Sequence, residues 1–196
     1  MIPNIEFRYS YVYDEVWSDI VKDKKYPSSK KVLTCLKKGE KLWKREERRV
    51  LSELSKVTGL SWEAGSIPCY VVGKCIPFSD PLTVPIFPQT DYFLDVLIHE
   101  LIHQLFMQEG NLERADKSWK YISKEDAHYS PNTRVHIMLH AVHSHIYLKF
   151  YSKKRLERDK RLVYKVSDYK IAWKIVEEKG YEKILADFKK RVQQTL

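Results

Sequence analysis

Thr90-Asp91-Tyr92-Phe93-Leu94-Asp95-Val96-Leu97-Ile98-His99-Glu100-Leu101-Ile102-His103-Gln104-Leu105-Phe106-Met107 is the stretch on which both the fold and the chemistry of this chain turn. Apolar side chains fill most of its positions, and His99, Glu100 and His103 interrupt them near the centre. Thr90 or Asp91 suits an N-cap, and Gly110 and Asn111 suit a helix end, so the spacing predicts a helix from about 90 to 109–111. On a helix, positions i and i+4 lie on one face, one turn apart. His99 and His103 can therefore address a single metal ion, with Glu100 beside them to take the proton of a bound water. Polar groups in so apolar a helix are costly to bury unless they are paired or coordinated, which favours a metal over two ordinary surface histidines.

Upstream, Val32, Leu33, Leu36, Leu42, Trp43, Val50, Leu51, Leu54 and Val57 recur at threes and fours among Lys, Arg and Glu. They predict a long amphipathic helix over about 28–57, broken near Gly39 and stopped at Gly59. Tyr70-Val71-Val72 and Leu82-Thr83-Val84-Pro85-Ile86-Phe87 read as short strands separated by Gly73, Pro77 and Ser79-Asp80-Pro81. Pro85 has no N–H for a ladder, so 82–87 is expected at a sheet edge. Downstream, 112–131 reads as irregular, anchored by Trp119 and Tyr121. A second histidine-bearing helix opens at Ser130-Pro131-Asn132 and runs to Phe150. The basic run 153–161 reads as a charged helical continuation or an exposed linker. Two shorter helical patterns, 169–179 and 181–192, divide at Gly180 into a hairpin. The expected class is α+β: a long backing helix, a small mixed sheet with an edge strand, the H-E-x-x-H helix, a second ligand-bearing helix and a C-terminal helical hairpin. A catalytic domain over 1–150 is expected, with 151–196 packed on the same core.

A catalytic zinc site takes three protein ligands and a water, so two histidines leave it incomplete. The helix 132–150 offers His136, His140, His143 and His145. Stepping 100° per residue, Val135, Met138, Leu139, Val142 and Ile146 form one apolar face. His136, His140, His143 and Tyr147 form a separate stripe, and His145 points elsewhere.

With His99-Glu100-Leu101-Ile102-His103 on a helix, a strand before it and a long backing helix, the chain resembles the zincin metallopeptidases. The order of elements is similar to the compact gluzincin and SprT-like members over about residues 28–150, and 151–196 lies outside the likeness. The resemblance implies that His99 and His103 bind Zn2+ and that Glu100 activates the water. It also implies that the third ligand comes from downstream and that 82–87 aligns a peptide by strand addition. Gluzincins take a glutamate from the second helix, often followed by a small residue, and no glutamate lies between Asn132 and Phe150. His140-Ala141 has the matching ligand-then-small arrangement, so His140 is preferred as third ligand, with His136, one turn earlier, as the alternative. Glu125 and Asp126 remain open. Residue 109 is glutamate, where a metzincin would place its third histidine, and that group is set aside. His143, Tyr129 and Tyr147 are candidate oxyanion donors, and Asp95 a candidate to orient a ligand imidazole.

Composition sets the remaining bounds. An apolar content of 43% supports a buried core rather than disorder. The net charge of +9 comes without the Gly-rich or aromatic signatures of nucleic-acid modules, so nucleic acid is not expected as a partner. Cys35, Cys69 and Cys75 make an odd set that indicates no disulfide framework. Neither a signal peptide nor a membrane-spanning run is readable, and a cytoplasmic location is expected. Together these features predict a zinc metallopeptidase acting on a peptide or protein substrate. Two alternatives stand beside it. One is a zinc hydrolase of a non-peptide amide or ester. The other is a non-catalytic basic binding protein with structural zinc, closed by His99, His103, His136 and His140 together.

Overall fold

The computed structural model describes residues 1–194 and is α+β, with eight α-helices and a mixed four-stranded sheet among them. Two compact units are formed, Met1–Leu51 with Trp62–Gln104, and Ser52–Ser61 with the chain from Leu105. Two of the three chain boundaries between them fall within helices, α2 (Ser29–Thr58) and α3 (Thr90–Met107), and the third lies between Ser61 and Trp62. No helix of the described residues is long and apolar enough to cross a membrane.

The first unit holds the sheet. Strands β1 (Asn4–Arg8), β2 (Ser66–Val72), β3 (Phe78–Ser79) and β4 (Leu82–Pro85) lie in the order β1-β2-β4-β3. β1 and β4 run parallel to β2 on either side, and β3 is antiparallel to β4. The segment expected at the edge is therefore an inner strand, and the edges are β1 and β3. Pro85 is tolerated there for a local reason. The Ile86 N–H donates to Val72 O, so the neighbouring position, Pro85, turns its nitrogen toward the β3 side. Pairing with β3 involves only Leu82 and Thr83, and no donor is needed at residue 85.

Helix α2 is continuous through Gly39, contrary to the expected break. A Cβ at that position would lie 2.6 Å from the Phe93 ring, so glycine is there for close approach rather than to end the helix. Val32, Leu36, Trp43, Val50 and Leu51 form its buried stripe. Glu47 Oε1 accepts from the Trp43 indole and from the Ile5 N–H, each at 3.0 Å, which ties α2 to β1. Helix α1 (Tyr11–Val21), unforeseen along with β1, is pinned through buried Asp14. Its carboxylate accepts from the Tyr26 hydroxyl at 2.6 Å, the Gly73 N–H at 2.7 Å and the Tyr9 hydroxyl at 3.1 Å. Those donors fix the turn after β2. All three cysteines are free thiols.

The second unit is helical: α4 (Glu109–Ile122), a 3-10 turn at Lys124–Asp126, α5 (Pro131–Phe150), α6 (Lys153–Val163), α7 (Ser167–Lys179) and α8 (Tyr181–Gln194). Here 109–122 is helix, where irregular chain was expected from residue 112. The α3 helix ends at Met107, and Gln108, with ψ near 140°, lets α4 start at once. Buried Asn111 secures the junction: its amide donates to Leu105 O at 2.8 Å and to Ser61 O at 2.7 Å. Salt bridges Glu113–Lys117 and Asp116–Lys120 span single turns of α4 on its exposed face, where solvent screening leaves them little weight. Helix α5 begins as its sequence suggests, with the Ser130 hydroxyl accepting from the Thr133 N–H and Pro131 in the first turn. The basic run is a separate helix, α6, capped by Ser152. Trp173, Ile175, Val176, Ile184, Leu185 and Phe188 of the α7–α8 hairpin are all buried, and Phe188 stacks on Phe106 at 5.4 Å.

Candidate metal centre

The sequence places both motif histidines on α3, in the first unit. Leu97, Leu101, Ile98, Ile102 and Leu94 of that helix are buried, while Tyr92, Val96, His99 and His103 keep partial exposure along one strip. The two imidazoles meet edge to face with centroids 5.2 Å apart, the geometry expected for an i, i+4 pair. Glu100, between them in sequence, is only 5% exposed. Burial pushes its carboxyl up to about 8, because a charge there would lose its hydration. Asp95 is buried one turn earlier. Gln104 next to His103 donates from its amide to Ser79 O, holding the short edge strand β3 to α3. Burial first, then the negative charge of Glu100 and of Asp14, pushes the Cys75 thiol up to about 12, so it is a neutral thiol.

The second unit carries four further histidines on α5, His136, His140, His143 and His145. His136, His140, His143 and Tyr147 are each 2% exposed, so the predicted stripe is buried throughout. His145, off the stripe, bonds through Nε2 to Glu53 Oε1 at 2.8 Å, and Lys149 pairs with the other oxygen of Glu53 at 2.7 Å. The four stripe residues differ in their partners. His136 Nδ1 lies 2.7 Å from Asn132 O. A carbonyl oxygen only accepts, so Nδ1 carries the proton and Nε2 is left as the electron-pair donor. Burial lowers the pKa of this imidazole and keeps it neutral. His140 lies flat on Trp173, with centroids 4.1 Å apart and planes within 7°. His143 packs edge-on to Tyr147 at 5.2 Å and has its Nδ1 3.6 Å from Asp159 of α6. Of the other candidates, Asp126 is engaged by Lys179 at 2.6 Å, Glu125 is exposed in the 3-10 turn, and the Tyr129 ring lies against His128.

Two residues near His136 had no signal in the sequence beyond a helix start. Asp168 of α7 accepts from Ser130, Asn132 and Thr133 at the head of α5, and Tyr169 packs its ring 4.2 Å from that of His136. Comparison of the chain with family models, curated proteins and solved structures finds no match.

Proposed function

We propose that the chain is a zinc-dependent hydrolase of the zincin type, in which His99, His103 and His136 hold one metal ion and Glu100 is the general base. The observation that carries this reading is the α3 constellation: two imidazoles one turn apart on a half-open strip, with a buried carboxyl between them in sequence. An all-imidazole donor set suits Zn2+ among the common divalent ions and occurs in catalytic zinc sites.

His136 replaces His140, which the ligand-then-small pattern favours, as the proposed third ligand. A ligating histidine is normally oriented by a hydrogen bond from its other ring nitrogen, and His136 has that bond, to Asn132 O. The stack on Trp173 gives His140 a packing role instead. Held there, a zinc ion would supply Lewis acidity, activating water and polarising a carbonyl oxygen. Glu100 would take the proton from that water and pass it to the leaving amine. In the metal-free chain burial raises the proton affinity of that carboxyl, and a divalent cation beside it would favour the ionised form that a base needs.

Peptide bonds are the proposed substrate. The inner position of β4 favours a second reading, hydrolysis of a non-peptide amide or ester, because the strand expected to template a peptide is paired on both sides. A panel of peptide, acyl-amide and ester substrates offered to the zinc-loaded chain separates the two. The shared claim is tested with Glu100→Gln: the variant is expected to keep one equivalent of zinc and lose activity by about 10²–10⁴-fold. Hydrolysis that survives this substitution, or that survives chelation, overturns the proposal.

A further inference from the structure

The head of α5 carries a polar cluster that the proposed reaction does not use. The Asp168 carboxylate accepts from Thr133 Oγ1 at 2.6 Å, Ser130 Oγ at 2.7 Å and Asn132 Nδ2 at 2.9 Å. Those donors, Thr133 foremost, hold its carboxyl down at about 2, so it is ionised across the working range. Capping α5 does not require Asp168, because Ser130 Oγ already accepts from the Thr133 N–H at 3.0 Å.

Asn132 connects this cluster to the proposed metal ligand. Its side chain is held by Asp168, and its backbone carbonyl is the partner of His136 Nδ1. The next residue of α7, Tyr169, packs against the face of the same imidazole, with centroids 4.2 Å apart and planes at 32°. Two consecutive residues of α7 thus act on the two degrees of freedom that aim His136 Nε2. Asp168 holds the residue whose carbonyl the opposite ring nitrogen bonds, and Tyr169 limits rotation of the ring.

We infer that Asp168 and Tyr169 are positioning residues for His136, fixing its tautomer and ring orientation so that Nε2 is presented to a divalent metal ion. The inference rests on the reading of His136 as a ligand. It assigns to the C-terminal hairpin, which carries no ligand of its own, a part in metal affinity. Neither residue touches the ion; both act through Asn132 and the imidazole, as outer partners of metal-bound histidines do.

The test uses the full chain and reads metal binding rather than turnover. Zinc affinity is measured by competition with a chromophoric chelator, and cobalt(II) is added to record the visible absorption of the site. Asp168→Ala, Tyr169→Leu and Asn132→Ala are each expected to weaken zinc binding by about 10-fold or more and to alter the cobalt spectrum. Asn132→Ala removes a single hydrogen bond and keeps the test usable should Asp168→Ala fail to fold. Ser152→Ala, which strips the cap of α6 elsewhere in the same unit, is the stability control. It is expected to lower Tm while leaving affinity and spectrum at wild-type values. If Asp168→Ala and Asn132→Ala lower Tm but bind zinc and cobalt as the wild type does, the cluster is a helix staple and the inference is overturned. Failure of the underlying reading looks different: the wild type takes up neither ion, or His136→Ala binds as tightly as wild type.

Discussion

Glu100→Gln should stabilise the chelator-treated protein, and the gain should depend on pH in a way that packing alone does not produce. Burial raises the Glu100 carboxyl from its ordinary 4.5 to about 8 in the folded chain. Between those values the folded chain holds a proton that the unfolded chain has released. Stability therefore falls as pH rises through this window and levels off above about 8. At pH 7, two and a half pH units above 4.5, the loss at 1.36 kcal/mol per unit is about 3 kcal/mol. Glutamine has no proton to lose and shows no such slope. The difference between variant and wild type cancels every other titrating group the two proteins share. It should be close to zero at pH 4.5 and grow by roughly 1.4 kcal/mol per pH unit up to pH 7. At neutral pH this corresponds to a Tm gain of roughly 6–12 °C for a chain of this length. Urea denaturation of both proteins at half-unit pH intervals, with chelator throughout, measures it. Added zinc should narrow the gap, because a cation nearby favours the ionised carboxylate. Parallel stability curves from pH 4.5 to 8 would show that Glu100 ionises without penalty, and the assignment of a desolvated base would fall.

Three further expectations concern the frame around the site. Gly39→Ala forces a methyl into the Phe93 ring and should cost about 1–3 kcal/mol in urea denaturation, most of it recovered when Phe93 is also shortened to leucine. Asn111→Ala cuts the ties to Ser61 and Leu105 at the α3–α4 junction and should destabilise by about 1–3 kcal/mol; a neutral result would mean that water replaces the amide there. Phe188→Ala empties a fully buried site stacked on Phe106 and should cost about 3–5 kcal/mol, read as a lower midpoint with an unchanged denaturant slope.

Elements with a strong local period were legible in the sequence. Helices α2 and α5 and the α7–α8 hairpin follow their apolar spacing, and Gly180 divides the hairpin with a φ of 80° that favours glycine. Elements whose cause is non-local were not. β1 exists because Asn4–Arg8 pairs with Ser66–Tyr70, 62 residues further along the chain, and nothing local to the segment announces that register. Helix α4 escaped because Asn111, Ala115 and Ser118 fill its buried positions, so its inward face looks polar in one dimension. Pro85 was misread because the rule about edges concerns a missing donor, and the donor's direction depends on which neighbour stops short.

The site divides in the same way. His99, Glu100 and His103 are one helical turn and could be read directly. His136 and His140 lie one turn apart on one stripe, and periodicity cannot separate them. Their difference lies in what each ring meets: a carbonyl and Tyr169 for His136, the face of Trp173 for His140. Those partners depend on how α5 packs on α7, which the local pattern of either helix does not contain.

Metal stoichiometry across three proteins tests the central claim most directly. Wild type, His136→Ala and His140→Ala are loaded with zinc, freed of excess by gel filtration and analysed for zinc per chain. Wild type and His140→Ala are expected to carry one equivalent, and His136→Ala to carry well under half of one. A wild-type chain that emerges without zinc, or a His136→Ala chain that retains a full equivalent, would contradict the three-histidine centre.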